Sequence, residues 1–238
     1  MGSKNMPDLT PALNIRSLKE QVYDYLREQM RAGEILPGSE INLDETSRKL
    51  GVSRTPLRDA LLQLEMEGFV TIFPRRGIVV NPLTFEEIRK YYEIIGALES
   101  TALLLALEKI GADEIKLMER LIGKMRKALA AGDFDSYYAH NLKFHEVYLG
   151  RCGNENLVRI VQTLKKRLYD FPRQKGYVKE WELRSVREHQ KLVSLIRRGN
   201  AAETAAFIRD VHWSYRVQEK FISEYYKPNP EPGRKGGP

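Results

Sequence analysis

The chain has a single cysteine in 238 residues, Cys152. An intrachain disulfide is therefore excluded, and a reducing cytoplasm fits. The same scarcity excludes a closed zinc site of the thiolate type. Long apolar runs are also lacking. The longest is Ala102 to Leu107, far short of the ~20 residues that a membrane span needs, and no secretory signal is visible. Nor does the first third carry an excess of charge. The whole chain is +7, but residues 1–80 hold equal numbers of cations and anions, so bulk charge is no argument for nucleic acid binding. Beyond Thr84 there is no period-two strand signal and no internal repeat. With 42% hydrophobic and 30% charged residues, the chain reads as soluble and globular, with one or two domains. Met1-Gly-Ser-Lys-Asn-Met6 reads as an added leader ahead of a start at Met6 and is set aside.

What is present is most informative at residues 51–77, GVSRTPLRDALLQLEMEGFVTIFPRRG. Ser53 is a good helix N-cap, and Pro56 falls in the first turn, where its missing N–H costs nothing. Leu57, Ala60, Leu61 and Leu64 recur at helical spacing as one buried stripe. Arg54, Thr55 and Arg58 lie off that stripe at the helix start. Gly68 closes the helix. Val70-Thr71-Ile72 and Ile78-Val79-Val80 read as two short strands joined by Phe73-Pro74-Arg75-Arg76-Gly77. A helix with cations and hydroxyls at its N-terminus, followed by an arginine-tipped wing, is the order of parts that duplex DNA recognition needs. Residues 47–76 hold six cations (Arg48, Lys49, Arg54, Arg58, Arg75, Arg76) against three anions (Asp59, Glu65, Glu67), a local basic footprint.

The apolar stripe of residues 14–32 predicts a helix, broken by Gly33 and Leu36-Pro37-Gly38. A short helix follows from about Leu43 to Leu50. Asn81-Pro82-Leu83 is the expected domain boundary, since a residue before proline avoids helix. Thr84-Phe-Glu-Glu87 is a capping box opening a helix to about Lys109. Further helices are expected at 112–131, 134–151, 155–171, 179–198 and 201–225. Asp133, Asn154 and Asn200 are the N-caps; Gly132, Gly153 and Gly199 are the stops. The fold class is thus mostly α. Residues 14–81 form an N-terminal winged helix-turn-helix with a small β wing. Residues 84–226 form an all-α antiparallel bundle of about six helices. Residues 1–13 and 227–238 are expected to be flexible.

All four histidines lie in the helical domain. Asn141 and His145 are four apart and share a helix face; His189 and His212 sit on two other helices. Such residues can converge inside a bundle, where helical proteins build metal sites. His140 points about 100° away from Asn141, by helix geometry, and is excluded. The spacing leaves a second reading open, that these are partly buried polar residues and no ligands. Tyr91-Tyr92 and Tyr137-Tyr138 read as core. Lys165-Lys166-Arg167 reads as a solvated helix face that could add to DNA or effector binding. Cys152 beside Gly153 reads as an inert residue near a helix end.

Residues 14–80 resemble the winged helix-turn-helix of GntR-family bacterial transcription regulators. The match runs nearly position by position through Leu36-Pro37-Gly38, Leu50 to Leu61, Leu64 to Val70 and Pro74-Arg75-Arg76-Gly77. The remainder resembles the FCD effector domain of the FadR subfamily, through Asn141-Leu-Lys-Phe144-His145, Gly153-Asn154, Glu188-His189 with Leu192 and Ile196, and His212. The two resemblances cover about residues 14–225. They imply a ligand-responsive regulator that is no enzyme and that binds a two-fold symmetric operator as a homodimer. They also imply one divalent transition metal per chain (Zn, Ni, Mn or Fe) on Asn141, His145, His189 and His212. Ser53, Arg54, Thr55, Arg58, Arg75, Arg76 and Gly77 become the expected DNA-binding residues. Relatives carry an arginine in the first effector-domain helix to grip a carboxylate; here the run Glu93-Ile-Ile-Gly-Ala-Leu-Glu99 places Ile95 there. The expected effector is still a small anionic metabolite, because three imidazoles and an amide leave a divalent ion's charge uncompensated. The competing readings are a metalloenzyme with an attached DNA-binding domain and a purely structural metal.

Overall fold

A computed structural model describes residues 16–170 and 178–226; the expectations for residues 1–13 and 227–238 and for a helix end at 171 lie outside them. Helix α1 (Leu18–Arg31) starts at Ser17, whose side chain and Glu20 form a reciprocal capping box. It buries Val22, Tyr23, Leu26 and Met30. Helix α2 (Leu43–Leu50) starts at Asn42, which accepts from the amides of Asp44 and Glu45, and ends at Gly51 in the left-handed region. Helix α3 (Arg54–Met66) buries the expected stripe of Leu57, Ala60, Leu61 and Leu64. Strands β2 (Val70–Phe73) and β3 (Gly77–Val80) pair antiparallel, with Phe73 opposite Gly77. A third strand, β1 (Glu40–Ile41), pairs with the far edge of β3, giving the order β1-β3-β2. The sequence reading lacks this strand, because two residues carry no periodicity. These elements close on one apolar core that includes Leu26, Leu61, Phe69 and Ile78.

The chain leaves β3 through Asn81-Pro82-Leu83 and enters α4 (Phe85–Ala106) at the Thr84–Glu87 capping box. A short 3-10 turn at Leu107–Lys109 follows. Then come α5 (Ala112–Ala131), α6 (Phe134–Leu149), α7 (Glu155–Tyr169) and α8 (Lys179–Arg197). Asp133, Asn154 and Asn200 each accept an amide hydrogen bond at a helix start, as expected. Gly132 ends α5 in the left-handed region. A second apolar core gathers Ile88, Ile95, Met118, Phe144, Val161 and Ile222 among others.

The last expected helix, 201–225, is not continuous. It divides into α9 (Ala201–Phe207), a π-helical segment (Ile208–His212) and α10 (Tyr215–Tyr225). The Trp213 amide donates to the Ile208 carbonyl at 2.9 Å. The wider turn is stabilised by packing, which a periodicity argument does not see. Trp213 is buried against α4 at Gly96, where an added Cβ would lie 3.0 Å from the Trp213 Cβ and 3.4 Å from the Arg209 carbonyl oxygen. Lys165-Lys166-Arg167 is a second correction. Lys165 and Arg167 are only 5% and 2% exposed. Two cations on a helix face are buried where that face meets other parts of the chain.

Gly96→Ala is expected to destabilise the protein by about 1–3 kcal/mol through overpacking, although alanine is the better helix former. A urea midpoint at or above that of wild type would show that the contact is not tight.

Candidate functional site

Three helical elements aim imidazoles at one point. His145 lies on α6, His189 on α8 and His212 at the end of the π segment. One ring nitrogen from each falls within 4.8 Å of the others. The Nε2 atoms of His145 and His189 are 3.3 Å apart. His145 is 1% and His189 0% exposed. Burial is the main cause of the low pKa of both. It holds His145 at about 4, helped by Lys165 against the pull of Glu99. His189 lies well below the usual range, with His212 and His145 as the next causes. Both are thus neutral near pH 7, the form that binds a metal.

The outer nitrogens are held from behind. Glu99 on α4 is fully buried, and its Oε2 lies 3.1 Å from His145 Nδ1. Tyr148 Oη, 2.6 Å from the same nitrogen, donates to that carboxylate oxygen, and Trp213 Nε1 donates to it at 2.8 Å. Lys165 from α7 pairs with Oε1. Burial raises the Glu99 pKa, but Lys165 and His145 outweigh it and hold the carboxyl well below its usual range. His212 Nδ1 donates to Glu188 Oε2 at 2.8 Å. Arg184 Nε donates to Glu188 Oε1 at 2.8 Å, and Gln218 Nε2 at 3.1 Å. Carboxylates on Nδ1 place the protons outward and leave the inward nitrogens as acceptors, the arrangement that orients metal ligands. His189 Nδ1 has no hydrogen-bond partner among the described residues.

Asn141 lines the same cavity as His212, a space of about 70 Å³ walled by Tyr92, Trp181 and Trp213 as well. Its Oδ1 is buried without a hydrogen-bond partner. The donor set and this orphaned oxygen fit a divalent transition ion. His140 lies outside the cluster, as expected. Ile95 is buried in the core of α4. Tyr92 and Tyr137 are core residues, but both also line the cavity. Cys152 is free and buried. The sequence reading missed Glu99, Tyr148, Glu188 and Gln218 as partners of the cluster. The one available signal was Glu99, a charge standing between the apolar residues of α4.

On the other domain, Ser53, Arg54, Thr55, Arg58, Arg75, Arg76 and Gly77 are all exposed. Ser53 occupies the N-cap position of α3, but its hydroxyl makes no capping bond, so it is available to a ligand. Arg54 pairs with Asp44 of α2 at 2.6 Å. At the wing tip Arg75 has a positive φ of 62° and Gly77 one of 106°.

The folded parts are therefore a winged helix-turn-helix and a helical domain with a buried histidine cluster beside a cavity, the build of a ligand-responsive transcription regulator. Residues 18–80 match the family model of bacterial regulatory proteins, gntR family, and residues 90–211 match that of the FCD domain. The chain belongs to the GntR family of transcriptional regulators and carries an FCD domain. It is 30% identical over 176 residues to the Nta operon transcriptional regulator of Aminobacter aminovorans, covering 72% of this chain and 80% of that protein. It is 27% identical over 182 residues to the HTH-type transcriptional regulator YdhC of Bacillus subtilis, covering 76% and 81%. The fold is similar to that of E. coli McbR/YncC, with a TM-score of 0.66 at 20% identity, covering 90% of this chain and 99% of that one. These relatives are regulators, and neither matched family is one of enzymes. No helix among the described residues is long and apolar enough to cross a membrane.

Tyr148→Phe removes a hydroxyl shared by a buried imidazole and a buried carboxylate, without opening a cavity. A loss of about 1–3 kcal/mol in urea unfolding is expected; an unchanged midpoint would show that the hydroxyl carries no strength in the network.

Proposed function

We infer that this chain is a cytoplasmic FadR-type regulator that binds a two-fold symmetric operator as a homodimer. Its DNA affinity responds to a small anionic metabolite at a metal-containing pocket. The observation that carries this reading is the convergence of His145, His189 and His212 with a carboxylate behind two of them. The three imidazoles would hold one divalent ion, Zn, Ni, Mn or Fe, with Asn141 as a weaker oxygen ligand. When bound, the ion supplies open coordination positions and positive charge for an anion's oxygen. Charge favours that class of effector. Glu99 is paired with Lys165 and Glu188 with Arg184, so these two carboxylates do little to offset the ion's charge. The same two pairs argue against the metalloenzyme reading, since neither carboxylate behind the histidines is free to act as a base.

On DNA, α3 enters the major groove. Ser53, Thr55 and the α3 N-terminus hold a phosphate, and Arg54 or Arg58 reads a guanine edge. Arg75 and Arg76 reach the backbone or minor groove beside Gly77. One helix reads too few base pairs to single out an operator, which favours two copies. Exposed Ile94, Leu104 and Leu105 on α4 and Ile160 on α7 give the helical domain apolar surface to bury between copies.

Operator selection from random duplexes, with sedimentation of the protein, tests the reading: a dimer on an inverted repeat is expected, and a monomer on single half-sites would overturn it. On the selected operator, Arg54→Ala and Arg58→Ala are expected to weaken binding, at least one of them by about 1–3 kcal/mol; wild-type affinity in both would remove the recognition assignment. For the metal, His145→Ala, His189→Ala and His212→Ala should each lose most of the zinc taken up by the reconstituted protein, while His140→Ala keeps it. Elemental analysis showing full occupancy in the first three would mean that the site does not exist.

A further inference from the structure

The buried Glu99–Lys165 pair belongs neither to the apolar cores nor to the ligand set. Burying two charges is costly unless they are paired and hydrogen-bonded, and apolar residues often serve stability as well. The two ends of this pair face different tasks. Glu99 gathers His145, Tyr148 and Trp213 and so sets which nitrogen of His145 faces the cluster. Lys165 lies 5.1 Å from the Trp213 ring centroid and sits on α7. The side chains that follow it on α7 hold the DNA-binding domain. Lys166 Nζ lies 3.9 Å from Glu67, the C-cap of α3, and 5.7 Å from the Tyr23 ring centroid. Arg167 donates to the carbonyls of Asn81 at 3.2 Å and Pro82 at 2.7 Å, and its guanidinium carbon lies 5.2 Å from the Phe69 ring centroid. Asp170, the C-cap of α7, pairs with Arg27 of α1.

We propose that the Glu99–Lys165 pair positions His145 and couples the histidine cluster to the DNA-binding domain through α7. The proposal rests on the metal reading given above. An ion on His145 withdraws electron density from the ring and strengthens the bond from its Nδ1–H to Glu99. That bond and Lys165 share one carboxylate, so a stronger pull from His145 changes the hold on Lys165. One helical turn transmits the change, because Lys165, Lys166, Arg167 and Asp170 span little more than a turn of a stiff helix. A cavity of about 290 Å³ is lined by His145, Leu149 and Lys165 together with Arg27, Lys166 and Asp170. It gives these side chains room for a second arrangement, which coupling between sites requires.

The test uses the full chain, zinc ion and a fluorescent duplex bearing the selected operator. The readout is the ratio of operator affinities with and without saturating zinc, beside the zinc content of each protein. For wild type the ratio is expected to depart from one by about 5–150-fold, the usual range of coupling between sites. The double variant Glu99→Gln with Lys165→Met leaves neither buried charge alone. It is expected to keep zinc-free operator binding while its ratio falls close to one; Lys165→Arg is expected to retain the ratio. Should the double variant melt without cooperativity, Lys166→Met carries the same expectation of a reduced ratio, since it removes only a partly exposed contact. Zinc bound with an unchanged ratio in these variants overturns the coupling alone. Wild type that takes up no zinc overturns the metal reading and the coupling with it.

Discussion

Glu99 is a fully buried carboxylate in the middle of α4, and three other parts of the helical domain meet on it. Tyr148 and His145 approach from α6, Lys165 from α7 and Trp213 from the turn after the π segment. An ionised group at that depth has no water to turn to, so each partner satisfies a demand that would otherwise cost several kcal/mol, on the order of the penalty for a buried ion. This requirement fixes the relative depth of the three elements. It also fixes the imidazole of His145, and with it the geometry of the cavity. Gly96 belongs to the same constraint, since a Cβ there would lie 3.0 Å from the Trp213 Cβ and press Trp213 away from α4 and Glu99.

The junction between the domains repeats the pattern with backbone acceptors. Arg167 lies under the linker and bonds the carbonyls of Asn81 and Pro82, which have left the sheet and not yet entered α4. Such carbonyls have no helical or strand partner and need one from elsewhere. A cation on α7 supplies it. The linker is thereby tied to the same helix that carries Lys165, and the effector domain and the wing-bearing domain share one rigid part.

The two surfaces differ in how they were legible. The residues proposed to face DNA are local: Ser53, Arg54, Thr55 and Arg58 sit within two turns of one helix, and Arg75, Arg76 and Gly77 within one hairpin. Spacing alone places them together, because helix and hairpin geometry are set by neighbours in sequence. The histidines are a different case. Their helical spacing allows convergence but does not require it, and family resemblance, not periodicity, joined them into one set. Of their carboxylate partners, only Glu99 left a signal, as a charge among the apolar residues of α4. Glu188 stands beside His189 in sequence yet bonds His212, a pairing that depends on how α8 and the π segment pack.

The sequence by itself determined the order of the helices, the caps at Thr84, Asp133, Asn154 and Asn200, the buried stripe of α3 and the helix-wing character of the first domain. These follow from short-range hydrogen bonding and apolar periodicity, which need no distant partner. Only the tertiary structure decided the rest. The strand β1 exists because β3 offers it a free edge. The helix expected over 201–225 opens into a π segment because Trp213 is drawn onto α4. Lys165 and Arg167, which read as solvated, are buried because a carboxylate and two carbonyls from residues far away in the chain await them. In each instance the deciding partner lies far along the chain, and a pattern confined to neighbouring residues carries no record of it.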